Sequence, residues 1–285
     1  MYHVLFNPKA KHGKSKRYLK EVCARLDGEG LPYEVHPTDY PGHAEEIARS
    51  IDSAQALIVV GGDGTMHEAL NGLQDPARFP LAFVPAGTGN DFCAAANIPC
   101  NVSAIMDKVL REEPKDTDYI EMGGRRCLNV GGMGMDVEVL HRYVKSSFHG
   151  KIKYLFSLIS CIFSFKGYKV RVQANGKTYE ENVLFLAACN GSRIGGGIRI
   201  CPGAEIADGK IELVLVRQMN FFGILRAFIA LMRGKILSLP VTEHVYCDSL
   251  EIFTDRERTV QLDGELYEGY RALSARIASG LKIYR

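Results

Sequence analysis

Leu57-Ile58-Val59-Val60-Gly61-Gly62-Asp63-Gly64-Thr65-Met66-His67-Glu68-Ala69-Leu70-Asn71-Gly72 passes from an apolar run, through a glycine turn, into a helical stretch. One strand later Leu81–Val84 leads into Gly87-Thr88-Gly89-Asn90-Asp91-Phe92, which repeats the arrangement. Glycine-rich turns at helix starts bring unpaired backbone N–H groups up to an anion. Two such turns following neighbouring strands would share the carboxyl-end edge of a parallel sheet, where α/β proteins form ligand crevices. Phosphate binding is the first expectation, with a purely structural tight turn as the alternative for the first turn and helix capping by Asn90 or Asp91 for the second.

Working outward, His3–Phe6, Tyr33–His36 and Ala56–Val60 read as further strands. Ser15–Leu26, Ala44–Ser50 and about Val102–Arg111 read as helices. Strands alternating with helices imply crossovers and a parallel sheet with helices on both faces. From about Asp118 the texture changes to short β-type runs: Tyr119–Met122, Arg126–Val130, Lys169–Ala174, Val183–Asn190, Ile211–Val216, Ser249–Thr254 and Thr259–Leu262. Turns such as Asn175-Gly176 between them suggest antiparallel pairing. Helical stretches at Ile152–Phe165 and Phe221–Arg233 interrupt this part. The reading is an α/β domain over 1–118, a mainly antiparallel β-sandwich domain over 119–270, and a C-terminal segment, 271–285, returning to the first.

Composition excludes several classes. The chain has 285 residues, 46% of them apolar, enough for two cores. A formal charge of +2 is too small to argue for nucleic acid. The eight cysteines form no Cys-x-x-Cys pair and have no histidine at zinc spacing, so they read as reduced thiols. No basic segment followed by an apolar stretch opens the chain, so a cytoplasmic location is expected. The longest nearly unbroken apolar run, Tyr154–Phe165, has 12 residues, against the ~20 needed to cross a bilayer.

Asp63, in the first turn, offers a carboxylate for a magnesium ion bridging phosphates, since Mg²⁺ prefers one or two carboxylates plus phosphate and water oxygens. Thr65 can donate a hydroxyl hydrogen bond, and Glu68 can simply favour the helix dipole. The Gly13-Lys14-Ser15 ending after Asn7-Pro8 invites a P-loop reading, but Pro8 stands where that motif requires its first glycine. An anion-binding basic loop and a solvated lysine face both remain open there. Asp263-Gly264-Glu265 and Asp208-Gly209-Lys210 each read first as turns.

Taken together, Asn7-Pro8, Gly61–Thr65 with Asn71-Gly72-Leu73, Pro85–Phe92, Asn129–Asp136, Gly195–Gly197, Pro202-Gly203-Ala204 with Asp208-Gly209, and Asp263-Gly264-Glu265 resemble the diacylglycerol kinase catalytic-domain superfamily, in its compact bacterial form. The resemblance covers nearly the whole chain. It implies an NAD kinase/diacylglycerol kinase-like α/β domain that binds ATP and Mg²⁺, and transfer of the γ-phosphoryl group to a lipid hydroxyl, diacylglycerol leading to phosphatidic acid first among the acceptors. By that resemblance Asn7, Thr38, Gly61, Gly62, Asp63, Gly64, Thr65, Met66, His67, Gly87, Thr88 and Asn90 lie near the nucleotide. Asp63 serves the phosphate-bound magnesium, Glu265 is the general base, and Asp263 stands beside it. A structural magnesium maps to Glu205, Asp208 and Lys210. His67 departs from the asparagine common at its position.

Two long stretches, Val139–Tyr179 and Leu213–Thr242, contain no Asp or Glu but do contain Arg and Lys. Each carries one of the apolar helical stretches, a pattern suited to transient docking on an anionic membrane, peripheral to its inner face. Packing of both helices within the protein is the alternative. A homodimer is compatible with the sequence. The rival functions are an NAD kinase-like phosphotransferase, which shares Gly-Gly-Asp-Gly, and a catalytically silent lipid-binding regulator.

Overall fold

The computed structural model describes residues 1–13, 15–135, 137–139, 141, 161 and 164–285. The first part runs β1 (Tyr2–Phe6), α1 (Ser15–Gly28), β2 (Tyr33–Pro37), α2 (His43–Ser50), β3 (Leu57–Gly61), α3 (Asp63–Gly72), β4 (Leu81–Pro85), α4 (Asp91–Ala95) and α5 (Val102–Arg111). The strands lie in the order β2-β1-β3-β4 and pair in parallel. β1, β3 and β4 are buried along their full length, which is why they read as continuous apolar runs rather than alternating ones. α1 packs on α5, and α2 on α3. Phe83, Leu57, Ile58, Leu5, Met66 and Leu70 are among the largest fully buried side chains of this core.

The remainder runs β5 (Lys115–Met122), β6 (Arg125–Cys127), β7 (Val130–Gly134), β8 (Tyr168–Ala174), β9 (Lys177–Cys189), β10 (Arg193–Ile194), β11 (Ile198–Arg199), β12 (Ile211–Arg217), α6 (Phe221–Met232), β13 (Thr242–Cys247), β14 (Ser249–Leu262) and β15 (Glu265–Ile283). Pairing here is antiparallel, so most of the ladder in the molecule is antiparallel. The strand path β13-β12-β9-β7-β14-β15-β4-β3-β1-β2 runs without a break through both parts. The joint is β15: its Ile283 pairs in parallel with Leu81, and the Tyr284 amide donates to the Leu81 carbonyl.

Two differences from the sequence reading have physical causes. Arg126–Val130, expected as one strand, is split into β6 and β7, and the Leu128, Asn129 and Val130 amides turn inward onto the Asp263 carboxylate. Ser249–Thr254 and Thr259–Leu262, expected as two strands, form the single β14, with register shifts between Phe253 and Val260. The helix expected over Ile152–Phe165 falls largely outside the described residues.

Candidate active site

The two glycine turns meet backbone to backbone. A Cβ built on Gly87 would lie 2.6 Å from the Gly62 Cα, and one on Gly62 would lie 3.0 Å from the Gly87 Cα. Only glycine at both positions permits that approach. α3 starts from Gly62 in extended backbone, with no side chain capping it. Its first amides are therefore left to an external acceptor. The second turn closes on itself: Asn90, at φ 54°, accepts from the Gly87 amide through Oδ1 (2.9 Å) and donates to the Gly87 carbonyl through Nδ2 (3.1 Å). The expected capping of α4 by Asn90 or Asp91 is thus corrected. Asn90 is spent on its own turn, and Asp91 accepts from the Gly196 amide at 2.7 Å.

Beside these turns lies a cleft of about 510 Å³. Of the residues expected near a nucleotide, Asn7, Thr38, Gly62, Gly64, Thr65, Gly87 and Thr88 line it, together with Lys9, Lys11 and Glu265. Asn7 donates to Thr65 Oγ1 at 3.0 Å, tying the end of β1 to the first turn of α3. Glu68 accepts from the Gly42 and Ala44 amides, so it caps α2. Met66 and His67 do not face the cleft: both are 1% exposed, Met66 against Cys93 and His67 against Asp263. The helix period carries them to the inner side of α3.

The three carboxylates near the turns differ sharply in how they are satisfied. Asp63 takes the Asn90 amide on Oδ2 at 2.6 Å, while its buried Oδ1 has no partner. Asp91 likewise leaves a buried Oδ1 unpartnered. Burial, then the Asp91 charge, pushes the Asp63 carboxyl above its ordinary range. Asp263 is the opposite case. Its oxygens receive His67 Nδ1 (2.9 Å), the Leu128 amide (2.9 Å), the Asn129 amide (2.8 Å) and the Cys127 thiol (3.1 Å). Burial alone would raise it, but the His67 contact and these donors hold it below its usual value.

Asp263 and Gly264, at φ 53° and 93°, form the two-residue turn between β14 and β15, with Leu262 paired to Glu265. The turn reading of Asp-Gly is therefore right as far as it goes. Its position adds the rest. Glu265 projects into the cleft, where a Cβ on Gly64 would lie 2.7 Å from its Oε1. Asp263 and Gly264 instead face a second cavity of about 260 Å³. Asp63 also faces that second cavity and not the cleft, which revises its expected place among the cleft residues.

The second cavity is mostly apolar. Met66, Phe92, Leu128, Val130, Ile194 and Ile198 are among its walls, with Asp63, Asp91, Asn129, Gln261 and Asp263 as the polar residues that line it. Ile194, Ile198 and Val139 also line a smaller cavity of about 80 Å³ walled by Ile224, Ala227, Phe228 and Leu231 of α6. Gly195, Gly196 and Gly197 all have positive φ (60°, 82° and 115°), which lets this loop fold over Gly89 and Asp91. The other face of α6 is bare: Phe222 is 77% exposed, Met232 56% and Ile229 43%. α6 thus packs along one edge and leaves the other uncovered, so the packing reading holds for only half of its apolar stripe.

Glu205, Asp208 and Lys210 lie apart from the glycine turns, beside β12. The Lys210 amide donates to Asp208 Oδ1 at 2.9 Å. The neighbouring carboxylate is Asp118 of β5, which accepts the Gly209 amide at 2.8 Å and is raised by burial and then by Asp208 and Asp116 despite that bond. Sequence reasoning gave Asp91 only a capping role, and missed Asp118 and a chain of contacts behind the site. In that chain His67 Nε2 meets the Tyr267 hydroxyl at 2.8 Å, Arg125 donates to that oxygen at 3.2 Å, and Arg125 pairs with Glu45 at 2.6 Å. These partners are 80 to 200 residues apart in sequence, and no local pattern announces them.

The architecture is that of a nucleotide-type α/β domain joined to a β-sandwich by a shared strand, with a polar cleft and an apolar cavity on either side of one hairpin turn. Residues 1–122 match the model of the diacylglycerol kinase catalytic domain, and residues 129–281 match that of the YegS C-terminal NAD kinase beta sandwich-like domain. The chain belongs to the diacylglycerol kinase family with this C-terminal domain. It is 26% identical over 268 residues to a diacylglycerol kinase of Staphylococcus carnosus, covering 92% of this chain and 87% of that one. It is 24% identical to a diacylglycerol kinase of Bacillus subtilis, covering 92% and 88%. A solved diacylglycerol kinase structure from Bacillus anthracis superposes with a TM-score of 0.77 over 99% of this chain and 96% of that one, at 22% identity.

Proposed function

We propose that this protein is an ATP-dependent lipid kinase that transfers the γ-phosphoryl group to the hydroxyl of a membrane lipid, with diacylglycerol the leading acceptor and phosphatidic acid the product. The observation that carries the reading is the Asp263-Gly264-Glu265 turn, with a polar cleft at the bases of two touching glycine turns on one side and an apolar cavity on the other. The open amides of α3 and the Gly87-Thr88 turn suit the phosphates. The apolar cavity suits acyl chains and is poorly suited to NAD, the acceptor of the rival reading.

Residues of this chain can then be given roles. Glu265 reaches the α3 first turn from the wall and takes the proton as the lipid oxygen attacks the terminal phosphorus in line. A carboxylate is a weak base for an alcohol, so positioning and electrostatics supply most of the rate. Asp263 carries no spare acceptor. Its role is to fix the turn, while His67 locks it to α3.

The buried Oδ1 atoms of Asp63 and Asp91, neither with a hydrogen-bond partner, would suit a divalent cation, which would offset the repulsion between the two carboxylates and supply positive charge beside the glycine turns. The Asp208 and Asp118 carboxylates, with backbone carbonyls of Glu205 and Lys210, would supply an oxygen-only donor set of the kind a structural Mg²⁺ takes.

Among the described residues no helix is long and apolar enough to cross a membrane. The bare apolar face of α6, with Arg226 and Arg233 on the same helix or at its end, supports transient docking on an anionic bilayer, and its buried face lines the cavity. The test is transfer from radiolabelled ATP to a panel of lipid alcohols and to NAD. Label in a lipid alcohol supports the reading, and label in NAD reverses it.

A further inference from the structure

A second cluster of ligating side chains lies away from the phosphoryl-transfer site, on the β9-β12-β13 face. Glu212 of β12 stands opposite Cys189 of β9, and Val214, two residues along on the same face, stands opposite His244 of β13. Period-2 alternation therefore turns Cys189, Glu212 and His244 to one side of the sheet. Cys201, just beyond the Gly195–Gly197 loop, comes down over them. Its Sγ is 2.9 Å from Glu212 Oε2 and 3.8 Å from His244 Nε2, and His244 Nε2 is 2.6 Å from the same Glu212 oxygen. Cys189 and Cys201 are wholly buried, and Glu212 is 3% exposed.

We propose that Cys201, Glu212 and His244 form a binding site for a thiophilic divalent cation of the Zn²⁺ type. A thiolate, an imidazole nitrogen and a carboxylate are three of the four donors that Zn²⁺ takes tetrahedrally, with a water oxygen to complete the set. With bond lengths of about 2.0–2.3 Å, tetrahedral ligand atoms stand roughly 3.5 Å apart. The cysteine–histidine separation of 3.8 Å is already near that spacing. Glu212 supplies a second observation: its buried Oε1 meets no donor in good hydrogen-bond geometry, with the Tyr246 hydroxyl the neighbour of this carboxylate, a costly state that cation coordination would relieve. The neighbouring Cys189 thiol, then burial and Glu212, push the Cys201 thiol far above its ordinary value. Binding would release the Cys201 thiol proton to solvent, as metal coordination by cysteine requires. The partly exposed edge of His244 gives the cation its access route. The site would pin the base of the glycine loop that closes over Asp91.

The test uses the full chain, purified under reducing conditions without oxygen, loaded with Zn²⁺ or Co²⁺ and then dialysed. We expect one equivalent of Zn²⁺ per chain by elemental analysis, a rise in melting temperature on Zn²⁺ addition, and a sulfur-to-cobalt charge-transfer band in the Co²⁺ form. His244→Gln, at the exposed edge, and Cys201→Ser should each weaken Zn²⁺ retention by at least the roughly 10–100-fold that lesser, outer-shell changes cost at such sites. The other group of ligating side chains among the described residues, His3, Glu34 and His36, contains no sulfur, so His36→Gln should leave the cobalt band unchanged. Three results would overturn the proposal: no Zn²⁺ retained by the wild type, retention untouched by His244→Gln in a variant with wild-type circular dichroism, or a Cys189–Cys201 disulfide in the anaerobically purified protein.

Discussion

Gly87→Ala tests the contact between the glycine turns quantitatively. The added methyl carbon would stand 2.6 Å from the Gly62 Cα and 2.8 Å from Asn90 Oδ1. Carbon atoms reach their best separation at about 3.5–4.0 Å, so the turns must part by roughly 1 Å. Displacement of that size at reacting groups costs about 10²-fold in rate, or about 2.7 kcal/mol of transition-state stabilisation. The same overpacking costs about 1–3 kcal/mol of stability, which urea unfolding measures separately. The assay is initial-rate phosphoryl transfer with ATP varied, reported as kcat/KM for ATP. Gly28→Ala is the control, because a Cβ there meets nothing within 4 Å. Wild-type kcat/KM in Gly87→Ala would refute the claim that this contact shapes the phosphate site.

Other consequences follow from the buried carboxylates and from α6. Asp263→Asn replaces one of the two acceptor oxygens by an NH₂ group, so at least one inward-facing amide loses its acceptor, at about 1–3 kcal/mol, and urea unfolding at neutral pH should show a loss of at least that size. Because the folded pKa of Asp263 is depressed, its contribution is present above the unfolded value of ~3.9 and disappears as pH falls through the folded value. The gap between wild type and variant should therefore close in acid, and a gap that widened there would contradict the assignment. Asp63 has the reverse sign. Its folded pKa is raised, so its charge opposes folding once pH exceeds the unfolded value, and Asp63→Asn should raise the melting temperature at neutral pH while lowering transfer. An unstable Asp63→Asn would show that the lone Oδ1 has a partner. Phe222→Ser should weaken sedimentation with anionic vesicles by tenfold or more, from about 1.5–3 kcal/mol of lost side-chain burial, with the melting temperature unchanged. Equal sedimentation of both proteins, or sedimentation unaffected by salt, would remove α6 from membrane docking.

Legibility in the sequence tracked locality. α5 appears with the bounds its pattern predicts, because Asn101 caps it through the Ser103 and Ala104 amides, a signal contained in a few residues. The fully buried β1, β3 and β4 were readable for a similar reason, each being a short apolar run between turn residues. β15 was not legible as a strand: most of its 19 residues are exposed or half-exposed, with polar and small residues on the open face, so no alternation stands out. The return of 271–285 to the first part was expected, but the point of contact, Ile283 beside Leu81 about 200 positions earlier in the chain, was not readable. The candidate site shows the same division. The glycine turns were visible, but the helix-period placement of Met66 and His67, the facing of Asp63 toward the apolar cavity, and the closure of Asn90 on Gly87 emerge only from the fold. Asp91, Arg125 and Tyr267 find their partners across 80 or more residues, so spacing could not reveal them.

The central claim is that the hairpin wall brings a phosphate cleft and an acyl cavity together at Glu265. It is tested most directly by single-turnover transfer from ATP to diacylglycerol in mixed micelles, comparing wild type with Glu265→Gln after confirming equal ATP binding. The account predicts labelled phosphatidic acid from the wild type and a rate at least about 10²-fold lower from the variant, the low end of what a positioned general base contributes. Equal rates from the two proteins, or no label in any lipid alcohol from a wild type that binds ATP, would contradict it.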